Sequence, residues 1–194
     1  MELQVKLDSE IGRLRAVVLH KPGPELEKMT PSTIHRALYS DLLGTRSARK
    51  EYRQLEAVLS QVCRPFYIDD LLREALEASP QAKAFLLDKI AAPARAAGLD
   101  ETLAALSVAE LADVMVQGVT GTDFNPLYNL YFTRDIGVCF NSHAMPTHMA
   151  TQVRAREILI TDLVYRYHPV FTRNRSHLNP WDNVPAGTRL EGGD

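Results

Sequence analysis

The sequence predicts an α/β protein in which strand–helix–strand order occurs on both sides of a helical segment. In the first part, a strand-like run at residues 13–20 precedes a helix-like pattern at residues 47–63 and an apolar run at residues 66–68. In the middle, residues 70–116 are rich in alanine and leucine and poor in β-branched and aromatic residues. Strand-like residues return after residue 121. These features indicate repeated α/β units around an inserted helical bundle, although no clear sequence repeat is visible.

The composition is that of an ordinary globular protein, with 194 residues of which 45% are hydrophobic and 24% charged. The net charge of −2 and the scattered basic residues give no reason to expect a nucleic-acid or anionic-membrane partner. No apolar run approaches the roughly 20 residues that span a bilayer. Two cysteines are too few for a disulfide framework, and residues 1–8 lack the apolar core of a secretory signal. We therefore expect a cytoplasmic protein.

Neither a metal nor a cofactor is expected from the residue pattern. His143 and His148 flank a Met-Pro-Thr segment without a cysteine or acid at ligand spacing. Cys139 is interpreted as a small buried hydrophobic residue, because no base stands at a spacing that would activate it. Arg154 and Arg156 are interpreted as solvated residues of a helix.

The first unit is predicted as strand, loop, helix and strand. Residues 13–20 begin with alternating polarity and become continuously apolar, as in a strand buried on at least one face. Two prolines and a glycine at residues 21–24 end that strand. Apolar residues at spacings of three and four predict a helix at residues 47–63, which Pro65 stops, and residues 66–68 then form a short strand.

The middle segment is predicted as short helices without chemistry of their own. Pro80 and Pro93 divide it, and Gly98 is typical of a helix C-cap. Ser107 followed by Glu110 forms a capping-box pattern that opens another helix. The predicted divisions of the chain are residues 1–69 and 122–194 for the α/β part and residues 70–121 for the helical insertion.

The last part is predicted to alternate strands with one helix. The expected strands are residues 130–133, residues 137–141 and residues 170–172, with a further strand beginning at residues 188–190. The expected helix covers residues 153–163 and closes before Pro169.

Two acids stand out at the ends of predicted strands. Asp135 closes an alternating run that starts at Asn129, and Glu191 precedes a Gly-Gly turn. Two carboxylates from separate strands suit a planar cation such as a guanidinium, because each can accept a forked pair of charge-assisted hydrogen bonds. Neither segment contains a nucleophile, so the pattern indicates half of an active site. Spacing alone favours a turn-stabilising role for Asp135 and allows a hairpin role for Glu191, and it leaves the function open.

Several segments, taken together, carry a recognisable family pattern. They are residues 10–14 leading into 17–23, residues 30–32, residues 129–135 (Asn-Leu-Tyr-Phe-Thr-Arg-Asp), residues 154–157, residues 167–169 and residues 190–194. In this order they resemble the N-terminal half of arginine deiminase, a family of guanidine-modifying enzymes with a five-bladed α/β propeller (pentein-like) fold. The helical stretch also sits where that family carries an inserted helical bundle.

The resemblance implies a role for five residues. Asp135 and Glu191 match the two catalytic carboxylates that bind the guanidinium and stabilise its positive charge during attack. Arg154 matches the arginine that pairs with the α-carboxylate of the substrate. Asn129 and Phe132 match residues that line the substrate pocket. The implied reaction converts L-arginine to L-citrulline and ammonia through a covalent cysteine intermediate, with a histidine as acid and base.

The departures from the family pattern limit what the chain is expected to do alone. In the family, the nucleophilic cysteine and the catalytic histidine lie beyond the Glu-Gly-Gly-Asp strand, and Cys139 does not match that nucleophile. Residues 38–43 carry one acid of a usual pair and no tryptophan, and Tyr128 replaces a common proline. The expected partners are L-arginine or a close guanidino amino acid, together with the missing C-terminal half or a homo-oligomer.

Two other interpretations stay open. The chain is alternatively a catalytically incomplete guanidinium-binding or regulatory module, or part of a related hydrolase acting on agmatine, methylated arginine or citrulline. Arg154 argues for a substrate that keeps its α-carboxylate, which disfavours agmatine.

Overall fold

A computed structural model describes residues 4–173, 176–185, 187–190 and 192. The strands are β1 (Ala16–Leu19), β2 (Arg64–Tyr67), β3 (Gly137–Phe140) and β4 (His143–Pro146). The α-helices are α1 (Thr45–Val62), α2 (Ile68–Ala78), α3 (Pro80–Ala96), α4 (Asp100–Ala105), α5 (Val108–Gln117), α6 (Ala155–Tyr167) and α7 (Pro169–Thr172). Short 3₁₀ helices cover Pro24–Lys28, Gln152–Arg154 and Trp181–Asn183. The mixture of helices with small sheets confirms the α/β class.

The first unit has the predicted strand–helix–strand order. β1 and β2 are parallel, with Ala16 opposite Arg64 and Leu19 opposite Tyr67, and α1 connects them. The second strand was placed slightly too late, because Ile68 already belongs to α2. Two acids in the first turn of α2 stabilise the positive end of its dipole and favour a helix start there.

The middle segment folds into helices, as predicted, but with a different division. The Ser107–Glu110 capping box is formed at the start of α5, and Gly98 follows α3 with a left-handed φ of 68°. Pro93 was expected to separate two helices and instead lies inside α3, in its last turn. The carbonyl that loses its partner there belongs to the exposed Lys89, so water can satisfy it.

The last part differs most from prediction. β3 and α6 are confirmed, while β4, the antiparallel partner of β3, was not predicted. Residues 170–172 were expected to be a strand and form α7, because Pro169 suits the first helical position and His168 Nδ1 caps the Val170 N–H at 3.2 Å. Within residues 187–190, which the structure describes, the strand expected from residue 188 is present as an isolated bridge between Leu190 and His148.

A shared apolar core connects the helical segment to α6 and the β3–β4 hairpin. Fully buried leucines from four helices meet in it: Leu72, Leu86, Leu111 and Leu163. Helices α2 and α3 pack directly on α6. The helical segment therefore packs on α6 and fixes its position, and the N-terminal end of α6 lies next to residues 129–135. The domain limits given above stay a prediction.

No helix of the described segments combines the length and the apolar character that a membrane crossing requires.

Candidate functional site

Residues 129–135 form a series of tight turns and not the predicted strand. The Phe132 N–H donates to the Asn129 carbonyl at 3.0 Å, and the Asp135 N–H donates to the Phe132 carbonyl at 3.2 Å. Such bonds between residues three apart close turns, whereas a strand would bond to a neighbouring chain segment. The alternating polarity was therefore misleading here, and the turns direct the carbonyls of Asn129 and Phe132 toward Arg154, immediately before α6.

Side chains tie this loop to the surrounding elements. Thr133 Oγ1 donates to the Val18 carbonyl of β1 at 2.8 Å, and Thr147 Oγ1 donates to the Asp135 carbonyl at 2.7 Å. Asn129 Nδ2 donates to the Ala37 carbonyl at 3.0 Å, so this amide ties residues 129–135 to the loop before α1. The backbone around Asp135 is thus fixed from two sides.

Arg154 stands immediately before α6 and is buried, with 6% of its surface exposed. Its Nη1 lies 2.5 Å from Asp135 Oδ2, and its Nε donates to Glu157 Oε2 at 2.9 Å. Its Nη2 donates to the Asn129 carbonyl at 3.3 Å. The expectation of a solvated arginine is therefore wrong: the guanidinium is enclosed by the loop on one side and by α6 on the other.

Arg156 is also not a freely solvated helix residue. Its guanidinium carbon lies 3.9 Å from the centre of the Phe124 ring, and its Nη2 donates to the Asn125 carbonyl. Burial lowers the pKa of Arg156 to about 10. Arg156 therefore fastens α6 to the segment that leads into the site loop.

Glu157 is the residue of this site that the sequence analysis did not assign. Its side chain is 1% exposed, and its Oε2 lies 2.8 Å from Arg154 Nη2. Burial raises the pKa of Glu157 to about 7, against the opposing effect of Arg154. The arginine–acid spacing of three on a helix could have indicated the pair, but nothing in the sequence shows that it is buried.

The backbone of residues 190 and 192 runs beside the aspartate loop. Leu190 exchanges two backbone hydrogen bonds with His148, and the Gly192 N–H donates to the Asp135 carbonyl at 3.1 Å. A β-carbon at residue 192 would collide with the carbonyl oxygen of Arg134, so the close approach requires glycine. Glu191 itself lies outside the described residues.

The structure therefore brings together some of the residues expected at the site. Asp135 contacts Arg154 directly, and the carbonyls of Asn129 and Phe132 face the same guanidinium. The Phe132 ring is 43% exposed and lies with its centre 4.3 Å from that of Tyr131. Two carboxylates sharing one guanidinium leave the group net negative when both are ionised, which favours a cationic ligand.

A second charge cluster lies at the end of β1, with His20 and Glu25 buried and Asp69 partly exposed. His20 Nε2 is 3.4 Å from Glu25 Oε1, and His20 Nδ1 is 3.5 Å from Asp69 Oδ1. Burial lowers the pKa of His20, but the nearby carboxylates of Asp69 and Glu25 outweigh burial and raise that pKa to about 9. His20 also acts electrostatically on Glu157, whose pKa it lowers. The two clusters are thus neighbours in the interior.

Neither a thiol nucleophile nor a metal-binding group is evident in the described part of the chain. Burial raises the pKa of the Cys139 thiol, which keeps it protonated and weakly nucleophilic at neutral pH. Among residues 4–173, 176–185, 187–190 and 192, no group of three or more His, Cys, Asp or Glu side chains is arranged to hold a metal ion.

Comparison with known proteins gives a consistent family assignment. Residues 115–194 match the family model described as arginine deiminase. The chain is 31% identical over 217 positions to the arginine deiminase of Oenococcus oeni, covering 98% of this chain and 52% of that protein. It is 36% identical over 222 positions to that of Rhodococcus erythropolis, with 97% and 52% covered, and 30% identical over 217 positions to that of Borrelia recurrentis, with 98% and 52% covered. The chain thus spans about half the length of the curated relatives it matches.

Proposed function

We infer the function of this chain from its membership of the arginine deiminase family. In this proposal the chain supplies the guanidinium-binding part of a hydrolase that converts L-arginine to L-citrulline and ammonia. The finer fold assignment, part of a five-bladed propeller with an inserted helical bundle, belongs to the same proposal.

The observation that carries the proposal is the fixed carboxylate of Asp135 on the turn of residues 129–135. Its backbone is held by Thr147 and Gly192, and its Oδ2 contacts a guanidinium, that of Arg154. We propose that Asp135 accepts hydrogen bonds from the guanidinium of the substrate and that Glu191 is the second acid. Leu190 and Gly192, the chain neighbours of Glu191, lie beside the loop that carries Asp135. Two acids in this position would stabilise the charge of the guanidinium while its carbon is attacked.

Arg154, Asn129 and Phe132 are proposed to contact the rest of the substrate. Arg154 would pair with the α-carboxylate, which a guanidinium recognises well through its planar fork of donors. The contact between Arg154 and Asp135 places both residues at one site. The partly exposed Phe132 ring would cover the aliphatic part of the ligand.

The chemical steps of the proposed reaction need groups beyond this site. A cysteine thiolate attacks the guanidinium carbon, and the bond to one terminal nitrogen breaks as a histidine protonates the leaving ammonia. Water, deprotonated by the same histidine, then attacks the carbon and releases the thiolate and citrulline. In the proposal, that cysteine and histidine come from the other half of the enzyme and not from this chain.

The proposal is tested by reconstitution. The chain is joined to, or mixed with, a C-terminal partner that carries the candidate cysteine and histidine, and citrulline formation from arginine is measured. Activity that is lost when the partner cysteine is replaced by alanine supports the proposal. A folded mixture that forms no citrulline contradicts it.

A second function, an arginine-binding module, is favoured by one observation. The site within the described residues combines acids with a guanidinium, while burial raises the pKa of the half-buried Cys139 thiol and keeps it protonated at neutral pH. Calorimetric titration of the isolated chain with arginine distinguishes the two functions. Submicromolar binding by the chain alone favours the binding module, whereas a half-site is expected to bind weakly.

A further inference from the structure

The orientation of Arg154 is set by a single buried carboxylate. Nε and Nη2 of Arg154 lie 2.9 Å and 2.8 Å from the same atom, Glu157 Oε2. This leaves Nη1, on the opposite edge of the guanidinium, directed at Asp135 Oδ2 at 2.5 Å. Glu157 therefore determines which nitrogen of Arg154 faces the proposed ligand site.

The pairing of Arg154 with Glu157 limits how Arg154 can pair with Asp135. A guanidinium and a carboxylate form their strongest pair when two N–H groups point at two oxygens. Glu157 engages two donors of Arg154 and so prevents Arg154 from forming such a two-pronged pair with Asp135. Asp135 keeps more of its negative character for an incoming cation.

We propose that Glu157 is a positioning residue of the guanidinium site. Its hydrogen bonds hold Arg154 so that Arg154 orients Asp135 without neutralising the Asp135 carboxylate. The inference rests on the proposed function, since Asp135 and Arg154 are the proposed substrate contacts. It predicts that loss of the Glu157 acceptor weakens substrate binding more than it slows the chemical step.

The charged surroundings of Glu157 support a role that depends on its protonation. Arg154 and Arg156 flank it from α6 and the preceding turn, Asp135 faces it from the site loop, His20 from the end of β1 and Tyr39 from the loop before α1. Arg154 and His20 favour its ionised form, whereas Asp135 opposes it. Protonation of Glu157 below about pH 7 would loosen its hold on Arg154.

The test compares two replacements of similar size in the citrulline-forming protein. Glu157→Gln keeps an oxygen acceptor, whereas Glu157→Leu keeps the volume and removes the acceptor. Asp162→Asn is the matched control, because Asp162 is a buried acid of the same helix whose partners are Arg166 and His177. For E157L we expect KM for arginine to rise by about tenfold or more with a smaller change in kcat, as for loss of a charge-assisted bond. E157Q keeps an oxygen acceptor without the charge, as protonated Glu157 does, and should raise KM less than E157L; D162N should leave KM unchanged.

The pH profile separates positioning from packing. In the unchanged protein KM should rise toward the E157Q value as pH falls below about 7, whereas KM of E157Q should lack that acid limb. Equal KM values for E157Q and E157L, or an acid limb that persists in E157Q, would overturn the inference. If E157L does not fold, the E157Q profile alone decides.

A structural readout keeps this inference distinct from the proposed function. If the unchanged protein forms no citrulline, the proposed function fails, and crystal structures of E157Q and E157L still test the positioning. The inference expects the Arg154–Asp135 contact to be retained with one nitrogen in E157Q and to become two-pronged in E157L. Identical Arg154 geometry in both variants would refute it.

Discussion

Two neighbouring charge clusters in this protein have the same inventory, one cation and two carboxylates, and different geometry. In the Arg154 cluster, with Asp135 and Glu157, the contacts measure 2.5–2.9 Å. In the His20 cluster, with Glu25 and Asp69, the two His20–carboxylate contacts measure 3.4 Å and 3.5 Å. A guanidinium stays charged and offers five donors, whereas an imidazole offers two and can lose its proton.

This difference decides which partner titrates near neutral pH. In the Arg154 cluster the cation is permanent, and the proton is exchanged on Glu157, whose pKa is raised to about 7 chiefly by burial. In the His20 cluster the proton is exchanged on the cation, whose pKa is raised to about 9. Where the cation cannot lose its proton, burial makes the acid the group that titrates, as for Glu157; where the cation is an imidazole, the imidazole titrates, as for His20.

Replacement of Asp135 should give the largest loss of activity, because Asp135 is the acid of the Arg154 cluster that is proposed to bind the ligand. Asp135→Asn removes the charge proposed to bind the guanidinium, and we expect citrulline formation in the reconstituted enzyme to fall by about two to three orders of magnitude. Asp123→Asn, an exposed aspartate of the preceding loop, is the control and should retain activity. Equal activity of the two variants would remove Asp135 from the proposed site.

The Glu157 carboxyl should make folding stability fall as pH rises from about 4.5 to about 7. The folded protein keeps the proton up to about pH 7 while the unfolded chain releases it near 4.5, so deprotonation favours unfolding over this range. The full effect is on the order of 3 kcal/mol. Urea denaturation across this pH range should show a flatter stability profile for Glu157→Gln than for the unchanged protein. Glu77→Gln, on the exposed side of α2, should not alter the profile, and a profile unchanged in E157Q would contradict the expectation.

The His20 cluster should make stability fall in a higher pH range. The raised pKa of His20 means that its contribution is fully present below about pH 6.5 and is lost as pH rises through about 9. His20→Asn should flatten the stability profile between these values by up to about 3 kcal/mol. His35→Asn, which replaces an exposed histidine of the loop before α1, is the control. A loss confined to pH values below 6 in the unchanged protein would show that the cluster does not hold a charged imidazole.

The smallest expected effect concerns a neutral contact of the His20 cluster. The backbone N–H of His20 donates to the Tyr52 hydroxyl at 3.2 Å. Tyr52→Phe should lower the free energy of unfolding by about 1 kcal/mol at every pH, because it removes one hydrogen bond and no charge. Thermal or urea denaturation measures it. A pH-dependent loss would instead indicate that Tyr52 takes part in the titration of the cluster.

Local sequence patterns predicted the elements that local physics controls. The spacing of apolar residues predicted α1, and the Ser107–Glu110 box predicted the start of α5, because both depend on neighbours within one or two helical turns. The strand prediction for residues 170–172 was wrong because local neighbours also decide there. The apolar residues of this run suit a strand, but the preceding His168-Pro169 pair supplies a cap and a fixed first turn of a helix.

The site was predictable as a motif and not as a geometry. Residues 129–135 alternate in polarity as a strand does, and only the bonds between residues three apart distinguish the turns. Arg154 was expected in solvent and is enclosed, and Glu157 was not assigned, because burial is set by packing among distant segments. Direct ligand contacts of Asp135, Asn129 and Phe132 stay predictions.

Gly192 has no side chain to separate its backbone from the neighbouring stretch of the main chain. Here the main chain at residue 192 rests directly on that of Arg134 and Asp135. Transplanting the aspartate turn into another scaffold therefore requires the glycine to travel with it. Conversely, a methyl group added at residue 192 would push the two stretches of backbone apart and displace the aspartate turn.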